Sequence, residues 1–231
     1  MRETIRWLGV ALGFLVIVPV HVVVSLFGQR ELVPPLFLAF MGRMAGLRVR
    51  TEGTPRKGAL FLANHESWLD ILALAGTTRS VFAGKSDLAG HPFLRWLCDQ
   101  NDTLFLQRDR RQTVAQQVEE VRAALASRPL TIFPEGTTSG GAALLPFKSS
   151  LLSAGEAAHV TVQQVALDYQ DAAEIAWGDE AGLSNVWTIL ARRRPVRLTI
   201  RFLEPLTGEA ATQRKPMAAA AQANIAAALR L

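Results

Sequence analysis

Cysteine is almost missing from this chain of 231 residues, where Cys98 stands alone. That excludes an internal disulfide and any multi-cysteine metal site. Its surroundings, Trp96-Leu97-Cys98, read as helix core and not as a reactive thiol. Aromatic residues make up only 7% of the chain and are not interleaved with the basic ones. No nucleic-acid-binding motif occurs, so nucleic acid is not an expected partner. The glycine-rich turn Phe133 to Gly141 lacks the Gly-Lys-Ser/Thr ending of a nucleotide phosphate loop, and neither a Rossmann fingerprint nor the Gly-x-Ser-x-Gly elbow of serine hydrolases occurs. No metal is expected, because no set of ligands has suitable spacing. Neither a repeat nor a low-complexity linker divides the chain.

What the chain does carry is apolar residues, 49% of the total, and a net charge of +5 borne by arginine far more than lysine. Such a basic balance, without nucleic-acid signals, favours an anionic membrane surface. Trp7 to Phe27 is a run of 21 residues with no charge, long enough to cross a hydrocarbon core of about 30 Å as a helix. Arg2 and Arg6 precede it, but a small-x-small cleavage site does not follow, so an anchor is expected and not a removed signal. Pro19 should kink it, as membranes tolerate. The next stretch, Leu32 to Leu47, is broken by Pro34-Pro35 and Arg43, and suits an interfacial segment or the return arm of a shallow hairpin. Residues 1–46 are therefore expected to be a helical membrane anchor, spanning or half-inserted, and residues 47–231 one globular domain.

Beyond residue 47, short apolar runs alternate with helical stretches. Strands are expected at 48–52, 59–63, 80–83, 103–106, 130–133, 160–167 and 196–202. Helices are expected at 68–75, 92–99, 111–126, 147–158, 185–193 and 213–230. The last is rich in alanine with no strong apolar stripe, and is expected to pack peripherally. The fold class is thus α/β, with a largely parallel central sheet flanked by helices. In such sheets ligands collect beyond the carboxyl ends of the strands.

Three polar stations fall there. Asn64 to Asp70, NHESWLD, follows the second strand and places a histidine and an aspartate five residues apart. Imidazole can take a proton near neutral pH, and a carboxylate on its far nitrogen would fix the tautomer. Residues five apart on a regular helix point roughly 140° away from each other. His65 must therefore sit in the turn and Asp70 in the following helix for the two to meet. The bland alternative is a surface turn in which Asn64 or Ser67 caps a helix. Arg108 follows the fourth strand. Phe133 to Gly141, FPEGTTSGG, follows the fifth; its small and hydroxyl-bearing residues, Gly136, Thr137 and Thr138 among them, permit tight turns and offer N–H groups and hydroxyls to an anion. Glu135 would repel an anion, and is expected to anchor the loop or a hydroxyl of the substrate. With Arg108, Lys85 at the end of the third strand and Lys148 after the glycine-rich loop suggest an anionic head group. His21, His91 and His159 have no carboxylate at useful spacing and are background.

His-x4-Asp, Phe105-Leu106-Gln107-Arg108 and FPEGT together resemble the glycerolipid acyltransferases, above all the bacterial lysophosphatidic acid acyltransferase (PlsC) family, over roughly residues 45 to 205. The resemblance implies transfer of a fatty acyl group from acyl carrier protein or coenzyme A thioester to a lysolipid hydroxyl, with no cofactor. It places the general base on His65 and its orienting carboxylate on Asp70. It assigns head-group binding to Arg108, and acceptor binding to the loop containing Glu135 and Gly136. The implied acceptor is 1-acylglycerol-3-phosphate, giving phosphatidic acid in phospholipid biosynthesis. The family loop usually reads FPEGTRS, however, and Thr138 stands where an arginine grips phosphate. FPEGTTS followed by LPFKSSL also resembles the lyso-ornithine lipid acyltransferase branch, which is the alternative acceptor. The expected setting is the bacterial inner membrane with the site facing the cytoplasm, and the bilayer as a partner. A lipase using Ser67 and a non-catalytic lipid carrier are the remaining readings.

Overall fold

The computed structural model describes residues 2–85, 92–106, 114–140, 143–177 and 184–231. Among these, seven strands form one sheet in the order β1-β7-β6-β2-β5-β3-β4. The strands are β1 (Leu47–Glu52), β2 (Leu60–Ala63), β3 (Val81–Lys85), β4 (Leu104–Leu106), β5 (Leu130–Ile132), β6 (Val162–Tyr169) and β7 (Val196–Pro205). Every pairing is parallel except β6 with β7. That single reversal sends β7 and β1 the opposite way, so their first residues lie at the edge where β2, β3, β5 and β6 end.

Most of these strands match short apolar runs because a parallel strand covered on both faces has no solvent side to keep polar. β2 is the purest case, with all four residues buried. Alternate residues supply two cores. Phe61, Phe82, Phe133, Leu167 and Leu198 face α3 (Leu69–Thr78), α7 (Ala172–Ile175) and α8 (Ser184–Ala191). Leu60, Leu62, Leu130 and Ile132 face α5 (Val114–Ser127), α6 (Ser153–Ala158) and α10 (Arg214–Leu229). A short α4 (Pro92–Gln100) precedes β4, and α9 (Glu209–Thr212) precedes α10. The peripheral role expected for the last helix is corrected. Met217, Ala221 and Ile225, spaced four apart, are fully buried, since alanine lets a helix approach the sheet closely enough for a few larger side chains to complete the core.

The amino-terminal segment forms a hairpin of α1 (Arg2–Leu26) and α2 (Val33–Met44). α2 rests on α3 at a close crossing, where a Cβ on Gly76 would fall 2.8 Å from that of Ala39. α1 is 25 residues long, about 37 Å, and is tied to the domain at both ends. The Arg6 guanidinium donates to the carbonyls of Ile189 and Leu190, and Trp7 packs on Trp187 at 4.2 Å. Farther along, His21 bonds Gln100 at 3.0 Å, and Arg30, just beyond the helix, pairs with Asp102. The helix thus lies across the outside of one helical layer. Leu8, Leu12, Leu15, Val22 and Leu26, at helical spacing, are left exposed.

Candidate active site

β2 ends at Ala63, and the turn that follows is built from NHESWLD. Asn64 is fully buried. Its amide bridges to the main chain of Leu167 in β6, accepting from the N–H at 2.8 Å and donating to the carbonyl at 3.0 Å. The turn is thereby fixed to the neighbouring strand, which is a different role from capping a helix. α3 starts after Trp68 with no side-chain cap. Instead the Asp70 carboxylate, in its first turn, folds back to accept from the N–H groups of Glu66 and Ser67 at 2.8 and 2.9 Å. This places Asp70 Oδ2 at 2.9 Å from His65 Nδ1. The pair meets in the way the five-residue spacing requires, with the histidine in the turn and the aspartate in the helix.

Asp70 is wholly buried. Its second oxygen accepts from the Tyr169 hydroxyl at 2.5 Å, so the carboxylate has four donors in all. Burial and the neighbouring Asp70 charge hold the Tyr169 hydroxyl well above its ordinary pKa, and it stays a donor. An ionised carboxylate only accepts, so the proton between the pair sits on His65 Nδ1 and the Nε2 lone pair is left to take another. The His65 ring stacks on Phe133 at 4.0 Å and 16°, and its side chain keeps 17% exposure. The imidazole is therefore oriented, backed by an apolar surface and open on one side.

The loop after β5 holds the main chain of the same histidine. Glu135 accepts from His65 N–H at 2.7 Å and from Leu145 N–H at 2.8 Å, while Ser139 N–H donates to the His65 carbonyl at 2.7 Å. Glu135 has no exposed surface, and burial raises its pKa against those N–H donors. Each of its oxygens accepts one of these N–H groups, so the side chain staples the two loops together. The loop-anchoring alternative is the one the structure displays. Gly136 has φ +71°, a conformation that favours glycine, and turns the chain so that Thr137 is exposed and Thr138 half-buried beyond it. Lys148 is exposed, and its N–H donates to the Pro134 carbonyl at 2.8 Å, which keeps it beside the loop. Lys85 ends β3 in register with Leu106. Arg108 lies outside the described residues, as does His91.

Two residues of the site carried no signal of their own in the sequence. Tyr169 is 99 positions from its partner. Glu66 is buried, receives the Asn64 amide at 3.1 Å on one oxygen, and has no partner for the other among the described residues. Burial first, then the charges of Asp70 and Glu135, push its pKa up to about 8, so the carboxyl is mostly neutral at pH 7. Among the described residues, no three His, Cys, Asp or Glu side chains gather as a metal set.

A fixed imidazole–carboxylate pair can take up and return a proton, and the comparisons name the family in which it sits. The family model described as Acyltransferase matches residues 46–168. The chain belongs to the acyltransferase family. It is 31% identical over 211 residues to the lyso-ornithine lipid O-acyltransferase of Brucella abortus (strain 2308), covering 83% of this chain and 79% of that protein. It is 33% identical over 171 residues to the 1-acyl-sn-glycerol-3-phosphate acyltransferase of Neisseria meningitidis serogroup B (strain MC58), covering 69% and 66% respectively. In fold it is similar to the crystal structure of PlsC, the 1-acyl-sn-glycerophosphate acyltransferase of Thermotoga maritima. That match has a TM-score of 0.61 and 15% identity, and covers 100% of this chain and 98% of that one.

Proposed function

We propose that this acyltransferase moves a fatty acyl group from a thioester to the free hydroxyl of a lysolipid, with His65 as general base. The carrying observation is the His65–Asp70 contact at 2.9 Å, which leaves the outer ring nitrogen as the acceptor of a proton. In this reading His65 Nε2 takes the hydroxyl proton as the oxygen attacks the thioester carbonyl. The tetrahedral intermediate then expels the thiolate, which receives that proton from the imidazolium, so that one ester and one thiol form and the enzyme is unchanged. Asp70, with four donors fixed around it, stabilises the imidazolium while it exists.

Of the two acceptors, Thr138 favours lyso-ornithine lipid. Where the family resemblance expects a bidentate phosphate grip, this loop offers a hydroxyl. Lysophosphatidate is the second reading, supported by the Neisseria relative and by exposed Lys148 beside the loop. Purified full-length protein offered both acceptors in parallel, with coenzyme A and carrier-protein thioesters as donors, separates them. Faster acylation of lyso-ornithine lipid is expected, and a strong preference for lysophosphatidate sinks that assignment. The exposed stripe of α1 is proposed to rest in the outer part of a bilayer, with the body beside it. In a bacterium this is the inner membrane, the site facing the cytoplasm where acyl thioesters are made. Release of the protein from vesicles by salt alone, with α1 intact, contradicts that attachment.

A further inference from the structure

The sheet has one margin that its helices leave bare. Parallel strands are ordinarily covered on both faces. β1 and β7 are a parallel pair, yet four of the six β1 residues are exposed. One face of the pair is closed by Leu47, Val196, Leu198 and Ile200 of the core that faces α3 and α8. The other carries Arg48, Arg50 and Glu52 beside Arg197, Thr199 and Arg201, which the register sets opposite each other in that order. α10 meets this face at Arg201, whose guanidinium donates to the Ala228 carbonyl. Arg201 is also balanced by Glu52 and by Asp168 at 2.7 Å.

The remaining arginines are not balanced. Arg48 has no ion pair among the described residues, Arg50 meets Glu52 only at 3.6 Å, and Arg197 touches the Gln170 side chain at 3.4 Å. Arg48 and Arg197 are direct cross-strand partners, and like charges so placed repel. Together with Asp168, Gln170 and Thr199 they line an open groove of about 480 Å³. An anionic surface laid in it would relieve the repulsion.

Position decides which anion. The first residues of β1 and β7 lie at the catalytic edge, and β7 is two strands from β2, roughly 10 Å at ordinary strand spacing. The groove is on the sheet face opposite α2 and α3, hence away from the exposed apolar stripe of α1. It faces water while α1 faces lipid. Arg48 and Arg50 stand roughly 7 Å apart along their strand, close to the spacing of carboxylates one turn apart on a helix. We propose that the Arg48–Arg50–Arg197 groove is the docking surface for an acidic helix of a carrier protein that delivers the acyl group as a thioester. This rests on the acyl-transfer reading above and chooses a protein-borne donor for it. A flexible thioester arm then passes over the sheet edge to His65.

The test uses full-length protein in nanodiscs, with palmitoyl-acyl carrier protein and palmitoyl-coenzyme A as donors. The double substitution Arg48→Glu with Arg197→Glu is expected to lower kcat/KM for the carrier-protein donor by about tenfold or more, through KM, and to alter the coenzyme A donor less than about threefold. Wild-type KM for the carrier should rise with salt, as screening predicts. Arg48→Gln with Arg197→Gln should show a smaller loss, which guards against misfolding of the reversed variant. Unchanged carrier kinetics overturn the proposal. Equal loss on both donors does so too, since it points to nucleotide phosphates. So does loss of binding to phosphatidylglycerol vesicles with carrier kinetics intact, which makes the groove a membrane face. If neither donor is used by wild type, the acyl-transfer reading is what has failed. Direct binding of unacylated holo-carrier protein to wild type, and its loss in the charge reversal, then decides the surface separately.

Discussion

At the centre of the sheet, Asp70 sits without solvent among four donors, while at the β1–β7 margin Arg48 and Arg197 face each other in water. Both are charges beside the same edge of the sheet, but they are handled in opposite ways. Burying a carboxylate is tolerable only if its hydrogen bonds are in place beforehand, and a base aligned by such a carboxylate needs no reorganisation when it takes its proton. Charges in water contribute little until a partner removes that water. One region is organised before anything binds, and the other by what binds. Substitutions at the centre should therefore act on turnover with little effect on KM, and those at the margin the reverse.

The largest expected effect breaks the centre outright. His65→Ala removes the base and should lower kcat by about 10²- to 10⁴-fold, with the thermal midpoint little changed because one face of the ring is already open. A purified variant with near-normal turnover refutes the general-base assignment. Next comes Tyr169→Phe, which deletes one donor to Asp70 but leaves the other three. It should lower kcat by about ten- to a hundredfold, in line with a hydrogen bond to a charged group worth about 1.5–3 kcal/mol. KM for either substrate should hold. A variant that loses affinity and stability while keeping its pH–rate profile makes Tyr169 a packing residue only.

The legibility of these two residues differs for a physical reason. His65 and Asp70 are five apart, and helix geometry alone fixes how they must sit. Tyr169 reaches Asp70 only because β6 lies beside β2 and runs four residues past Ala63, a fact of strand order with no local trace. The strand positions were readable because a doubly covered strand must be a short apolar run. Glu135 was harder, since its residue type argued against an anion without saying that two buried N–H groups awaited it. Likewise the apolar length of α1 is plain in the chain, but not that Arg6 and Arg30 tie its ends to the body. Nor does a charge run distinguish the bare β1–β7 face from any solvated edge. Only the register that sets Arg48 against Arg197 does so.

The smallest expected effect on turnover at neutral pH sharpens the comparison from within the centre. Glu66 lies four residues before Asp70 and is also buried, yet one of its oxygens has no partner among the described residues. Lacking Asp70's donors, it holds its proton up to about pH 8. The folded state therefore binds this proton more tightly than the unfolded chain, whose carboxyl releases it near pH 4.5. Stability from this group is fully present below that value and declines as pH rises to about 8, by about 1.4 kcal/mol per pH unit at most. Glu66→Gln copies the neutral form and should turn over within about threefold of wild type at pH 7. Its thermal midpoint in detergent should match wild type near pH 4, exceed it increasingly from about pH 5 to pH 8, and keep a constant lead above that. Parallel midpoint curves for the two proteins would mean that Glu66 is ionised in the fold, and that a buried carboxylate can stand beside Asp70 without donors of its own.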